Sequence, residues 1–364
     1  MKTVYLSRYA LSCVAAAMLA GCGGSQPPTA IPEGASNVVQ VGRSQSPFDS
    51  PKKVTGGYLY VSNYQYDEIV LYSYDPKTMT LTAIGQISPQ SIRTALGSCS
   101  DAGGNVYVVG SAGTGDTGAI VELAFGTVTV MQTLSDNTGP PSGCSVDSTT
   151  GNLAVTNSSS YYTNSYHLAQ VLIYKNGSGT PEHINACAYN GTAGYDPKGN
   201  LWLECQNKEV ISIEELPKGG NSFQPVTFDE TFQYVGAIQW DGKYLDVSFG
   251  SVNNTNLWTM GIYQTAISGS TLTTVHAITF QRGPKKGGRR GCNSGVFFSQ
   301  WAMISKKADD LPSGEGKQLL AANGFCESLD VWKYPAGNRP HRSLKEPVKY
   351  KDSEPNSVTY VTPP

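Results

Sequence analysis

Asp101, Asp147, Asp196 and Asp241 recur along the chain, each leading a turn that contains glycine. Carboxylates spaced in this way could gather a divalent cation for hydrolysis. In a turn, however, an aspartate oxygen ordinarily accepts hydrogen bonds from backbone amides, and that role is the expected one. The chain has four histidines, His167, His183, His276 and His341. None is spaced to put two imidazoles on one metal, so structural or surface roles are expected. No Gly-x-Ser-x-Gly elbow exposes a nucleophile, and no glycine-rich loop runs into a helix to hold a phosphate. The sequence therefore offers no catalytic residue, no metal ligand and no cofactor.

Two loops carry binding chemistry instead. The stretch QRGPKKGGRRGC (281–292) sets Arg282, Lys285, Lys286, Arg289 and Arg290 on one glycine-rich segment. It reads first as a solvated insertion. Its second reading is a patch for an anionic partner, such as lipopolysaccharide, lipid headgroups or an acidic protein. The stretch SSSYYTNSYH (158–167) gathers Tyr161, Tyr162 and Tyr166. These are expected to pack against their own sheet; the alternative is a rigid amphipathic surface for sugars or peptides. The net charge of −2 argues against general nucleic-acid affinity.

Cys22 points to a different chemistry. Lys2 and Arg8 precede an apolar stretch from Tyr9 to Ala20 that is too short to span a bilayer. A basic head, a short apolar core and a small-residue end make an export signal. Leu19-Ala20-Gly21-Cys22 resembles the bacterial lipobox, whose cysteine thiol accepts a diacylglyceryl group and becomes the first mature residue. Two or three acyl chains hold a protein to a membrane firmly, whereas one does so only marginally. Gly23 after the cysteine, by resemblance to enterobacterial lipoproteins, implies the outer membrane. Residues 23–55, rich in Gly, Ser, Pro and Gln, read as a flexible tether. The expected organisation is a lipoprotein signal at 1–21, a lipidated tether at 22–55 and a folded part at 56–364.

Only 15% of the chain is charged, with 40 glycines and 21 tyrosines against 10 phenylalanines. Glycine-rich turns with many Tyr, Val and Thr predict an all-β fold, and no sustained helical period appears. A weak repeat supports this. GGYLYVSN (56–63), GGNVYVVG (103–110), TGNLAVTN (150–157), KGNLWLEC (198–205), DGKYLDVS (241–248) and GKQLLAAN (316–323) each pass from a turn into an apolar strand. Their anchors Tyr58, Asn105, Asn152, Asn200, Tyr244 and Gln318 are 47, 47, 48, 44 and 74 residues apart. Such periods belong to propeller blades of four antiparallel strands. The first repeat lacks an inner strand, and NSVTYVTPP (356–364) reads as the missing one. Six repeats closed by that strand predict a six-bladed β-propeller, with insertions at 250–256, 281–290 and 305–317 filling the long interval. An array of immunoglobulin-type sandwiches would not leave the first strand missing.

The Gly-Asn-Leu pattern after an Asp turn resembles NHL and YVTN-type propeller repeats and the wider lactonase and gluconolactonase-like families, over most of residues 56–361. The Gly-His and Trp-Asp pair of WD-repeat proteins is absent. The resemblance places any chemistry at the mouth of an axial channel, where gluconolactonase-like enzymes hold a cation with Glu, Asn and Asp. The expected function is a membrane-tethered, extracytoplasmic binding or scaffold module for a protein, glycan or anionic envelope ligand; the alternative is a lactonase-type hydrolase with an axial metal.

Six cysteines remain in the folded part, and an exported chain favours three disulfides among them. Cys99 and Cys144 each stand just before Ser in an inner strand, read as the same position of adjacent blades, and should pair near the axis. Cys187 precedes an inner strand and Cys205 ends the next, so antiparallel pairing brings them together. Cys292 and Cys326 repeat that logic across the insertion.

Overall fold

The computed structural model describes residues 56–363 except 64–66, 114–116, 158–168, 208–209, 232, 234–235, 253–257, 281–300, 305–316, 324–327, 338–341 and 346–354. The expected signal, Cys22 and the tether lie outside the described residues. So do Tyr161, Tyr162, Tyr166, the 281–292 loop, His167, His341, Cys292 and Cys326.

Each repeat folds as an antiparallel run. β1 (Gly57–Asn63), β2 (Glu68–Asp75) and β3 (Thr80–Ile87) make the first, followed by β4 (Thr94–Ser100), β5 (Val106–Ser111), β6 (Gly118–Leu123) and β7 (Val130–Asp136). β8 (Pro141–Val146), β9 (Leu153–Asn157), β10 (Gln170–Tyr174) and β11 (Glu182–Asn185) form the third sheet. Next come β12 (Tyr189–Asn190), β13 (Gly194–Tyr195), β14 (Leu201–Asn207), β15 (Val210–Leu216) and β16 (Gln224–Phe228), then β17 (Ile238–Trp240), β18 (Leu245–Val252), β19 (Trp258–Ser268) and β20 (Thr271–Phe280). These nine strands join into one sheet, because the outer strands β16 and β20 touch in parallel through Thr227–Thr271 and Phe228–Leu272. β21 (Trp301–Ile304), β22 (Gln318–Asn323), β23 (Ser328–Lys333) and β24 (Arg342–Lys345) form the last sheet. The C-terminal β25 (Pro355–Val361) returns to pair with β1, supplying the inner strand that the first repeat lacks. Residues 250–252, expected to open an insertion, instead continue β18 in register with Met260, Thr259 and Trp258.

Side-chain alternation explains how these sheets pack. In β2, Ile69 and Leu71 enter a cluster with Val106, Val108 and Val121 of the second sheet. Their neighbours Val70, Tyr72 and Tyr74 enter a cluster with Leu320, Leu329 and Val331 of the last sheet. Successive residues of a strand face opposite ways, so a strand stacked between two sheets must be apolar on both faces. The same seams join the second sheet to the third through Val109, Leu134, Leu153 and Val155, and the third to the β12–β16 run through Val171, Ile173 and Leu203. Trp202 and Ile213 then meet Leu245 and Val247, and Ile262 and Phe280 meet Leu319 and Trp332. The last sheet packs on the first, so the seams close a ring. This is a β-propeller.

The tyrosine excess has a physical role here. Tyr74 donates its hydroxyl to Gln318 Oε1 at 3.0 Å, Tyr60 donates to the Thr127 carbonyl at 3.0 Å, and Tyr174 donates to the Ser135 carbonyl at 3.0 Å. Each ring fills a seam while its hydroxyl bonds the neighbouring sheet, which phenylalanine could not do.

The structure joins Cys99 to Cys144 and Cys187 to Cys205, with Cα separations of 5.6 and 5.5 Å. Such bridges belong to an oxidising compartment outside the cytoplasm. Cys99 and Cys144 form the expected bridge but do not occupy the same position of their blades. Cys99 lies two residues before its turn Asp101, whereas Cys144 lies three before Asp147. Equivalent positions of adjacent blades point the same way around the ring and would not meet. The one-residue offset turns Cys144 back toward Cys99, while Ser145, the true equivalent of Cys99, points onward to accept from the Tyr195 amide at 3.1 Å.

Candidate functional site

Each of the four turn aspartates accepts from a backbone amide of its own turn. Asp101 accepts from the Asn105 amide at 2.8 Å, Asp147 from the Thr149 amide at 2.8 Å, Asp196 from the Lys198 amide at 2.8 Å and Asp241 from the Lys243 amide at 2.6 Å. Burial alone would raise the Asp147 carboxyl, but hydrogen bonds from Thr150 and Thr149, with the Lys218 charge, outweigh it and hold the group below its ordinary value. His183 and His276 are exposed, the former 3.2 Å from Gln170 Oε1 and the latter edge-on to Tyr244.

What the turns position is the end of each inner strand. These ends converge on an axial cavity of about 420 Å³. Residues 98–100 of β4, 144–146 of β8, Tyr195 of β13, 238–240 of β17, 301–303 of β21 and 359–360 of β25 all line it, so every sheet of the ring contributes. Its size lies in the range of about 300–1,000 Å³ usual for small-molecule sites.

Among the described residues the lining is uncharged apart from one carboxylate. Hydroxyls come from Ser98, Ser100, Ser145, Ser148 and Thr359, and an amide from Gln239. Ser98 lies 2.8 Å from Thr359 and 3.0 Å from Ser357, whose hydroxyl is in turn 2.6 Å from that of Ser62. This hydroxyl chain ties the closing strand to β1 of its own sheet and to β4 of the second sheet. Trp240 and Tyr195 contribute half-buried aromatic residues, whereas the ring of Tyr360 stands edge-on to Tyr74 in the seam with the last sheet. Burial pushes the Tyr360 hydroxyl up to about 12, helped by the charge of Asp75, so the phenol stays protonated. Asp196 is the lining carboxylate, and it already accepts from Lys198, Asn200 and the Trp202 indole. The Cys99–Cys144 bridge forms part of the wall.

An axial cation of the gluconolactonase type needs converging acidic and amide groups. Among the described residues, no group of three or more His, Cys, Asp or Glu could hold a metal ion. The residues of this cavity therefore do not fit such a cation, and no step is derived through one.

The resemblance placed any chemistry at an axial mouth, but sequence reasoning missed the residues that line it. A signal was present, because Ser100, Val146, Tyr195 and Trp240 each stand directly before a turn aspartate and so end an inner strand.

Closed sheets around an axial cavity define the class: a propeller with a polar, aromatic-rimmed site at one mouth of its channel. No protein-family model and no curated protein sequence matches the chain. Its fold is similar to a chain in the crystal structure of the nidogen/laminin complex, at 12% identity and a TM-score of 0.55, over 83% of this chain and 98% of that one. It is also similar to a putative 6-phosphogluconolactonase from Bacteroides uniformis, at 11% identity and a TM-score of 0.48, over 84% and 99%. At these identities the likeness concerns the fold alone.

Proposed function

We propose that this chain is a lipid-anchored, extracytoplasmic propeller of six blades that works as a binding module through its axial cavity. The blade count treats the nine-stranded sheet as two blades, since only two residue pairs join β16 to β20. Six hydrophobic seams among the described residues, each between consecutive four-strand units, support it. Cys22 carries the lipid, the tether spaces the propeller from the outer membrane, and the Arg282–Arg290 loop remains a candidate contact for anionic envelope components.

The observation that carries the reading is the lining itself. Every inner strand gives a residue to one cavity rich in hydroxyls and aromatic rings, whose only carboxylate is already held by its turn. That arrangement can recognise a molecule, and it lacks the converging acids that a metal-dependent lactonase requires.

The test is affinity capture with the full chain, measuring bound metal on the same sample. Capture of a ligand without stoichiometric metal is the expected result. A tightly held divalent cation together with lactone hydrolysis would replace the binding module with the hydrolase. In parallel, Cys22→Ser should abolish acyl labelling, and a variant that still partitions into detergent with acyl chains would remove the anchor from the reading.

A further inference from the structure

We propose that the axial cavity takes a neutral, polyhydroxylated ligand, a saccharide of one or two rings. The inference rests on the binding-module reading and adds the ligand's chemistry.

Charge is the first discriminator. Among the described residues the cavity lining contains no lysine or arginine, and its one carboxylate, Asp196, is occupied by amide and indole donors. A phosphate or carboxylate entering the cavity would lose its water without gaining a counter-charge, and a burial of that kind is costly. A cation would meet only a carboxylate whose lone pairs are in use.

Polarity is the second. Ser98, Ser100, Ser145, Ser148 and Thr359 offer hydroxyls, and each hydroxyl can both donate and accept. Gln239 adds an amide with separate donor and acceptor atoms. Ser98 and Thr359 already bond each other and Ser145 accepts from the Tyr195 amide, but an apolar ligand would strip water from Ser100 and Gln239, and each stranded group costs about 1–3 kcal/mol. A sugar matches them, because its own hydroxyls also serve in both directions.

Shape is the third. Trp240 and Tyr195 are half-buried aromatic residues at the cavity wall. A sugar ring has an apolar C–H face between its hydroxyl edges, so an aromatic ring can cover the face while serines take the edge. A disulfide and strands fixed by the ring closure hold these groups in place before binding, which reduces the ordering cost.

The experiment is calorimetric titration of the full chain, with tryptophan emission as a second readout, since Trp240 and Trp301 both line the cavity. The probes are the common neutral hexoses, pentoses, N-acetylhexosamines and their disaccharides. Glucose 6-phosphate, glucosamine and hexanol serve as anionic, cationic and apolar comparators. Saturable binding of a neutral sugar is expected, with its charged derivative at least about tenfold weaker. Gln239→Ala should weaken binding about three- to tenfold, the loss of one or two hydrogen bonds. Ser148→Arg at the exposed rim should weaken it more, and because that side chain is exposed, its thermal midpoint should stay at the parent value. Preferred binding of a charged or apolar comparator, lost in both variants, would overturn the saccharide while leaving the cavity as the binding site. Binding untouched by both variants, or none from any class, would overturn the cavity reading as well.

Discussion

Both carboxylate oxygens of Asp246 lie 2.7 Å from the phenolic oxygen of Tyr334, although the two residues are 88 positions apart in sequence. Gln264 donates to that phenolic oxygen at 2.6 Å and to Asp241 Oδ2 at 3.0 Å, and Lys317 lies 3.5 Å from the same Asp241 oxygen. Burial, with the Asp241 charge against the offsetting Tyr334 hydrogen bond and Lys317, pushes the Asp246 carboxyl up to about 8. Tyr334 donates to Asp246, and its hydroxyl also stands 3.4 Å from Asp241 Oδ2. The seam between the β17–β20 run and the last sheet thus holds a buried hydrogen-bonded relay that favours the neutral form of Asp246.

The relay gives stability a pH dependence of definite sign. Between the ordinary value of 3.8 and about 8, the folded chain holds a proton that the unfolded chain has lost. Stability from Asp246 is therefore full below about pH 4, falls as pH rises, and is gone above about 8. The slope is at most about 1.4 kcal/mol per pH unit for one proton. Glu204, fully buried and raised by burial against one hydrogen bond from the Gly236 amide, adds with the same sign. Urea midpoints measured from pH 4.5 to 8.5 should show Asp246→Asn with a flatter profile than the parent, gaining on it toward high pH. Parallel profiles would mean that Asp246 is ionised in its seam.

Much of the ring was legible in the sequence, and little of the site. The repeat segment 56–63 holds all of β1, and the C-terminal segment does pair with it, because apolar runs bounded by turn residues report strands directly. The cavity was not legible, because Ser98, Gln239, Trp301 and Thr359 share no motif and meet only after the ring closes. The same holds for Asp246 and Tyr334, whose polar character signals nothing until a seam buries them together.

The disulfides should differ in weight. Cys99–Cys144 closes 45 residues and Cys187–Cys205 closes 18. Restricting the unfolded chain gives each about 2–4 kcal/mol, with the longer loop worth about 0.8 kcal/mol more. Paired serine replacements at 99 and 144 should lower the urea midpoint further than those at 187 and 205. Because the first bridge also forms the cavity wall, its loss should weaken ligand binding, and removal of the second should not. Equal effects on binding would detach the bridge from the site.

Glycines of the inner strands are there for close approach. A Cβ on Gly194 would stand 2.3 Å from the Ile238 carbonyl oxygen of the next inner strand, whereas one on Gly85, in the outer strand β3, would make ordinary contact with Val128 at 3.4 Å. Gly194→Ala should cost about 1–3 kcal/mol, as overpacking does. Gly85→Ala should be neutral or stabilising by up to about 1 kcal/mol through the unfolded state. Denaturant curves of both variants check the contrast, and a harmless Gly194→Ala would show that the inner strands have room to part.

The closing strand should decide whether the ring folds as one unit. β25 pairs with β1 from Tyr58–Val361 to Asn63–Pro355. Its Val358 belongs to the cluster shared with the last sheet and its Val361 to the cluster shared with the second. Ser357 and Thr359 reach the Ser98 hydroxyl of β4 at 3.0 and 2.8 Å. One strand therefore seals two apolar seams and one hydroxyl chain, and among the described residues no other strand pairs with the inner edge of β1. Deleting 355–364 leaves that edge unpaired and both seams open at the axis. The truncated chain should bind a hydrophobic dye and unfold over a broad, weakly cooperative range. A synthetic 355–364 peptide added in trans should restore a sharp transition, because the edge of β1 is a template for strand addition. A peptide carrying Val358→Asp should not rescue, since it would bury a charge in the seam. A truncated chain with the parent's midpoint and sharpness would mean that the sheets hold together without closure.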